Sequence, residues 1–238
     1  MRVLGRRGVL ASLLLSCHPL PALAMTALLT VAAGLTGRSP AECLLVAATV
    51  ASGQLTIGWV NDVVDRDRDR RAGRTDKPVA LGWIEPRTVL AATGCVVVVL
   101  VPLSLANGWA AGVAHLTLVL SAWAYNLYFK STVLSWLPYA VGFGALPAFL
   151  SYGGLGTGLH GAPPTVAMTV LAALFGVGVN FLNALPDVEE DEATGVRHLP
   201  LLVARRTGAP LLMRISAVLT GLVVLGIVVS GITGGVRQ

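Results

Sequence analysis

Seven apolar runs, each near the roughly 20 residues that a helix needs to cross a bilayer, follow one another along the chain. They cover residues 9–35, 42–61, 88–106, 109–126, 132–151, 165–186 and 209–231. None shows the strict alternation of a membrane strand, so a barrel is excluded. The expected fold is all-α: a polytopic bundle of about seven transmembrane helices. The first run opens like a secretory signal, "GVLASLLLSCHPLPALA", but its apolar character continues through "MTALLTVAAGL". A cleaved signal would stop there, so this run reads as a span, kinked at Pro19 and Pro21. The stretch "SYGGLGTGLHGAPP" reads as an irregular connection. No linker divides the chain, and residues 1–238 read as a single domain.

Composition agrees. Charged residues make up 12% of the chain and the mean hydropathy is +0.75, where a soluble domain carries roughly 25% charged residues. The net charge of +5 is explained by topology. With the N-terminus in the cytoplasm, every Lys and Arg except Arg38 and Arg237 falls in or beside a cytoplasmic loop. No basic stretch interleaved with aromatics suggests nucleic acid. Cys17, Cys43 and Cys95 sit in apolar runs without metal-ligand spacing.

The acids are sorted more sharply. All but Glu42 and Glu85 fall in two windows, Asp62 to Asp76 and Asp187 to Glu192, each at the cytoplasmic end of an apolar run. If the first window continues a helix, Asn61, Asp65 and Asp69 share a face at i, i+4 and i+8, and Asp62 lies seven before Asp69. Asp67 points elsewhere, into solvent. The second window repeats the spacing with Asn183, Asp187 and Asp191. Like charges at i+4 repel, so the pattern requires a cation on that face. Carboxylate and amide oxygens suit Mg²⁺ above all, which keeps sites for phosphate oxygens. Arg74 and Lys77 after the first window, and Arg197 after the second, are suited to hold a departing diphosphate. The simpler alternative is a wet loop of ion pairs, in which the acids only balance neighbouring arginines.

The motifs resemble those of the UbiA superfamily of intramembrane prenyltransferases. "NDVVDRDRD" fits N-D-x-x-D-x-x-x-D, and "RTDKPVALG" is similar to the R-T-x-[RK]-P segment that follows it. "DVEED" with "GVRHLP" resembles the second motif, and "YNLYFK" a Tyr/Lys segment between the two. The resemblance implies a helical bundle around a cavity in which Mg²⁺ binds the diphosphate of an isoprenyl donor. The diphosphate leaves, an allylic carbocation forms and an acceptor attacks it. By the same resemblance Asn61, Asp62, Asp65, Asp69, Asp187 and Asp191 form the metal shell. Arg74, Lys77 and Lys130 hold the diphosphate, and Tyr125 lies near the donor. Asp65, Asp187, Lys130 and Tyr125 are then the residues on which catalysis depends.

The implied partners are a prenyl diphosphate, an acceptor the sequence does not specify, the bilayer, and a possible partner subunit or oligomer. The chain departs from the family pattern in three ways. The last two helices usual in the family are expected to be missing. His198 stands where the family more often has a small hydroxyl residue. The first span carries no arginine that might anchor an acidic acceptor; its polar landmark, Cys17-His18, reads as a helix kink. His115 and His160 receive no role. Competing readings are a terpene cyclase of the same superfamily and a non-catalytic prenyl-lipid-binding protein. A transporter would place its acids nearer the membrane midplane, and a CDP-alcohol phosphotransferase would show D-G-x-x-A-R, which this sequence lacks.

Overall fold

The computed structural model describes residues 8–154, 162–185, 188 and 197–233, and every element among them is helical. The chain divides into two compact units, residues 1–106 and 107–238.

The first unit holds α1 (Val9–Ser16), α2 (Pro19–Leu35), α3 (Pro40–Val64), α4 (Arg66–Arg71) and α5 (Pro86–Ala106). The first apolar run is broken, as its prolines predict: α1 and α2 meet at 64°. Pro19 cannot continue the α1 ladder, and His18 ahead of it takes a left-handed conformation, φ 55°, ψ 69°. The start of α3 is a full capping box: Ser39 accepts from the Glu42 backbone, Glu42 accepts from Ser39, and Pro40 opens the first turn. The helix is the centre of the unit, packed between α2 and α5. Thr49 Oγ1 donates to Leu103 O of α5 at 3.2 Å. Trp59 Nε1 donates to Leu13 O of α1 at 2.8 Å.

Gly58 sets the closest approach in this unit. A Cβ there would lie 2.4 Å from Cys17 O and 2.6 Å from Cys17 Cα. Only glycine lets the backbone of the α1–α2 break rest on α3. After α4 the chain folds back, burying Val79 and Ile84 with Cys17, Trp59 and Val89 in one cluster. The connection from 72 to 85 is therefore partly core.

The second unit holds α6 (Trp109–Ala124), a π-helical turn (Tyr125–Phe129), α7 (Trp136–Ser151), α8 (Val166–Ala184), α9 (Leu199–Thr207) and α10 (Ala209–Thr233). Successive long helices pack on one another, α6 on α7, α7 on α8 and α8 on α10. Gly176 of α8 lies against α7, where a Cβ would come within 2.4 Å of Tyr139 O. Close packing on small residues is the usual device of membrane helices.

Among the described residues five helices are long and apolar enough to cross a membrane, and the bent α1–α2 pair makes a sixth candidate, where the sequence predicts seven spans. The run expected to span 132–151 yields only Trp136–Ser151, 16 residues. Its first residues form turns instead: Thr132 N bonds Phe129 O and Ser135 N bonds Thr132 O, as hydroxyl residues favour. Outer faces are apolar, with Leu20 and Val166 each 80% exposed, as suits helices that meet lipid rather than water.

Candidate active site

The first aspartate window is a helical face, as its spacing predicts. Asp65 interrupts the assignment between α3 and α4, yet Asp65 N bonds Asn61 O at 2.9 Å and Asp69 N bonds Asp65 O at 2.8 Å. The register therefore continues, and Asn61, Asp65 and Asp69 stay in line. Asp62, Asp65 and Asp69 are 0%, 8% and 7% exposed, whereas the Asp67 side chain is 76% exposed and pairs with Arg66. Burying three carboxylates this close together is costly unless cations or donors offset it.

Partners come from the chain itself. Asn61 Nδ2 donates to Asp65 Oδ2 at 2.8 Å. The Val79 backbone N–H donates to Asp62 Oδ2 at 3.3 Å, which fastens the returning segment to α3. The Ser16 hydroxyl also faces this carboxylate, and Asp62 Oδ1 is buried with no hydrogen bond of ordinary geometry. Lys77, itself only 7% exposed, places Nζ 3.8 Å from Asp69 Oδ2 and 3.0 Å from His18 Nε2. His18 Nε2 also lies 3.1 Å from Asn61 Oδ1. A cleft of about 240 Å³ opens here, lined by Leu15, His18, Pro19, Leu20, Pro21, Asp76 and Lys77. Arg74 grips Asp76 through two bonds of 3.0 Å, and that guanidinium holds the Asp76 carboxyl below its ordinary range.

Two neighbours of the site were not legible beforehand. Val79 contributes only a backbone N–H, which no side-chain pattern reveals. His18 was read as a kink residue, which it is, but its ring also reaches Asn61 and Lys77.

In the second unit, Tyr125 opens the π-helical turn, which Lys130 N closes on Tyr125 O at 2.9 Å. Such turns re-aim side chains and recur at functional sites. The Tyr125 ring meets Tyr139 edge-on, centroids 4.9 Å apart. Asn183, the leading residue of the second window, donates to Tyr139 Oη at 3.2 Å. Tyr139, which carried no sequence signal beyond being aromatic, thus joins Tyr125 to the second motif. Arg197 N bonds Ser131 O at 3.4 Å, bringing the Arg197 backbone beside the residue that follows Lys130. His198 is the N-cap of α9: its Nδ1 accepts from Leu201 N at 3.0 Å. This is the service a Ser or Thr would give at the position, and it accounts for the departure at His198. His115 is buried against Phe149, ring centroids 5.2 Å apart.

Asp187, Asp191, Glu190 and His160 lie outside the described residues. Among the described residues no three His, Cys, Asp or Glu side chains converge on one point. The Asp62, Asp65 and Asp69 carboxylates are instead spread along α3 and α4.

Comparison with known proteins places the chain. The sequence model of the UbiA prenyltransferase family matches residues 21–236. The chain belongs to this family. Digeranylgeranylglyceryl phosphate synthase of Natronomonas pharaonis is 32% identical over 182 residues, which are 74% of this chain and 61% of that protein. The chain thus spans about three fifths of the length of this curated relative. A UbiA homolog from Archaeoglobus fulgidus, solved bound to GPP and Mg²⁺, superposes with a TM-score of 0.71 at 17% identity, covering 90% of this chain and 76% of that one. The same homolog bound to DMAPP and Mg²⁺ gives 0.72 at 20% identity over the same shares. At these identities the likeness is one of fold. Like its family, the protein is an integral, multi-pass membrane protein.

The burial pattern sets a control. Arg66→Ala should lower turnover by no more than about fivefold, because an exposed ion pair is worth about 0–1 kcal/mol. Glu190→Ala, off the line of the second window, should behave alike. Initial rates of the purified variants test this, and losses as large as those of the aspartate-face variants would refute the face assignment.

Proposed function

We propose that the protein transfers an isoprenyl group from a prenyl diphosphate to a lipid or small-molecule acceptor inside the membrane, with Mg²⁺ as cofactor. The observation that carries this is the buried face of Asn61, Asp65 and Asp69, with Lys77 packed against it, in a chain of the UbiA prenyltransferase family. The donor set fits the ion. It is all hard oxygen, and the buried Asp62 Oδ1, with no hydrogen bond of ordinary geometry, is an acceptor that calls for a cation. Asn61, Asp62, Asp65 and Asp69, with Asp187 and Asp191 of the second window, would hold it. When bound, Mg²⁺ would supply positive charge to offset that on the departing diphosphate.

The chain's own residues do the rest. Lys77, Arg74, Lys130 and Arg197 bind phosphate oxygens, so that the leaving group departs as a paired anion. The apolar walls bury the isoprenyl tail and exclude the water that would quench an allylic cation. The Tyr125 face, held edge-on by Tyr139, offers π density to that cation. The names of the relatives support the substrates: GPP and DMAPP for the donor, and a glyceryl phosphate lipid for the acceptor. The N-terminus and both windows face the cytoplasm, as the Lys and Arg distribution favours.

The test uses full-length protein in nanodiscs with radiolabelled geranyl, farnesyl and geranylgeranyl diphosphates and a lipid-extract acceptor pool. A labelled product should form with Mg²⁺ and vanish with EDTA. Product in EDTA would overturn the metal dependence. Bound donor without product would overturn transfer.

A further inference from the structure

The break in the first span holds a residue that the prenyl-transfer reading does not use. His18 is the sole non-glycine residue with positive φ among the described residues. Glycine or asparagine is the ordinary occupant of such a conformation. A histidine there points to work done by the side chain, and its ring atom Nε2 lies against two site residues, 3.0 Å from Lys77 Nζ and 3.1 Å from Asn61 Oδ1.

The roles of the atoms follow from their chemistry. An ammonium only donates. Asn61 spends its amide N–H on Asp65, which turns Oδ1 toward the ring. An imidazole with its proton on Nδ1 accepts at Nε2 from Lys77, and Asn61 Oδ1, 3.1 Å from the same nitrogen, is then a neighbouring acceptor and not a hydrogen-bond partner of the ring. Asp69 supplies charge to Lys77 from 3.8 Å, too long for a hydrogen bond, and His18 supplies a close acceptor. The two together fix one direction of a flexible four-carbon side chain. Lys77 and His18 both line the 240 Å³ cleft, so the ammonium is held at its wall with further donors to offer. Gly58 completes the device, because the backbone of Cys17 can lie on α3 only where there is no Cβ. That contact brings the His18 ring to Asn61.

We propose that His18 is a positioning residue: it anchors the Lys77 ammonium beside the aspartate face, so that Lys77 meets the diphosphate of the donor already oriented. The inference rests on the reading of Lys77 as a diphosphate ligand. It predicts an effect on donor binding rather than on the chemical step.

The experiment compares wild type, His18→Gly and His18→Gln as full chains in nanodiscs. Calorimetry measures Kd for geranyl and geranylgeranyl diphosphate with Mg²⁺, and turnover gives kcat and KM. Glycine suits the left-handed backbone, so His18→Gly should fold with an unchanged Tm, yet its Kd and KM should rise about 10–100-fold, the scale on which groups that orient a binding residue act. Its kcat should change far less. Glutamine carries an amide to about the place of Nε2 and should restore most of the affinity. In a Lys77→Met background His18→Gly should add little, because the two act as one unit. Wild-type affinity in His18→Gly, additive losses in the double variant, or no recovery in a folded His18→Gln would each overturn the proposal while leaving prenyl transfer standing. If His18→Gly does not fold, His18→Leu, which keeps bulk without a polar atom, is judged by the same outcomes. A wild-type protein that binds neither diphosphate would remove prenyl transfer and this inference together.

Discussion

Asp65→Asn should lower turnover about 10²–10³-fold, the scale on which loss of one group that stabilises developing charge acts, with expression near wild type. The substitution keeps size and shape. An asparagine at 65 still presents an oxygen to Asn61 Nδ2, which now donates at 2.8 Å, and its backbone still carries the α3–α4 register through Asn61 O and Asp69 N. What disappears is one negative charge on a buried face. A neutral amide oxygen remains a ligand for a hard cation but no longer balances its charge. Asp187→Asn should show the same loss, from the matching position of the second window. Initial rates and Mg²⁺ titrations of the purified variants decide the matter. Unchanged turnover in either variant would sink the assignment of that aspartate to the metal shell, and a loss accompanied by poor folding would mean that the charge is structural.

Gly58→Ala should damage both stability and donor binding, although it adds only one methyl group, at a buried position. That methyl would sit 2.4 Å from Cys17 O and 2.5 Å from Cys17 C. Both are backbone atoms, so no rotamer change relieves the overlap. The α1–α2 break must move off α3. Overpacking a tight contact costs about 1–3 kcal/mol, and here the shift also strains the neighbouring bond from Trp59 Nε1 to Leu13 O and carries His18 away from Asn61 and Lys77. The expected result is a lower Tm in detergent and a higher KM for the prenyl diphosphate. Gly94→Ala is the matched control. It lies in α5 with nothing within 4 Å of an added Cβ, where replacing a helical glycine is favourable by roughly 0.5–1 kcal/mol. If Gly58→Ala melts with wild type, the close approach is not a constraint on the fold.

The residues of the first window show how far pattern alone reaches. The i, i+4, i+8 spacing of Asn61, Asp65 and Asp69 predicts a shared face, and Asp65 and Asp69 are buried on it while Asp67 is exposed. Helical periodicity is local, so a local pattern suffices. The kink at Pro19 was legible for the same reason: it depends on residues within a few positions. His198 went unexplained because its role as an N-cap depends on a ring nitrogen standing in for a hydroxyl, a substitution outside the usual capping signal.

By itself, the sequence determined the class of protein, the approximate limits of most of its apolar helices, the break in the first of them, and which acids of the first window lie together on one helical face. All of these follow from hydropathy, proline chemistry and the 3.6-residue period, which act over one or two turns. Only the tertiary structure decided how those parts meet. It brought His18 to Asn61 and Lys77, across 43 and 59 positions of chain. It turned the Val79 N–H toward Asp62 and set Tyr139 between Tyr125 and Asn183. These contacts depend on where a missing Cβ at Gly58 or Gly176 lets two backbones touch. A glycine in a sequence does not say which distant segment it admits, because that is settled by the packing of whole helices against one another.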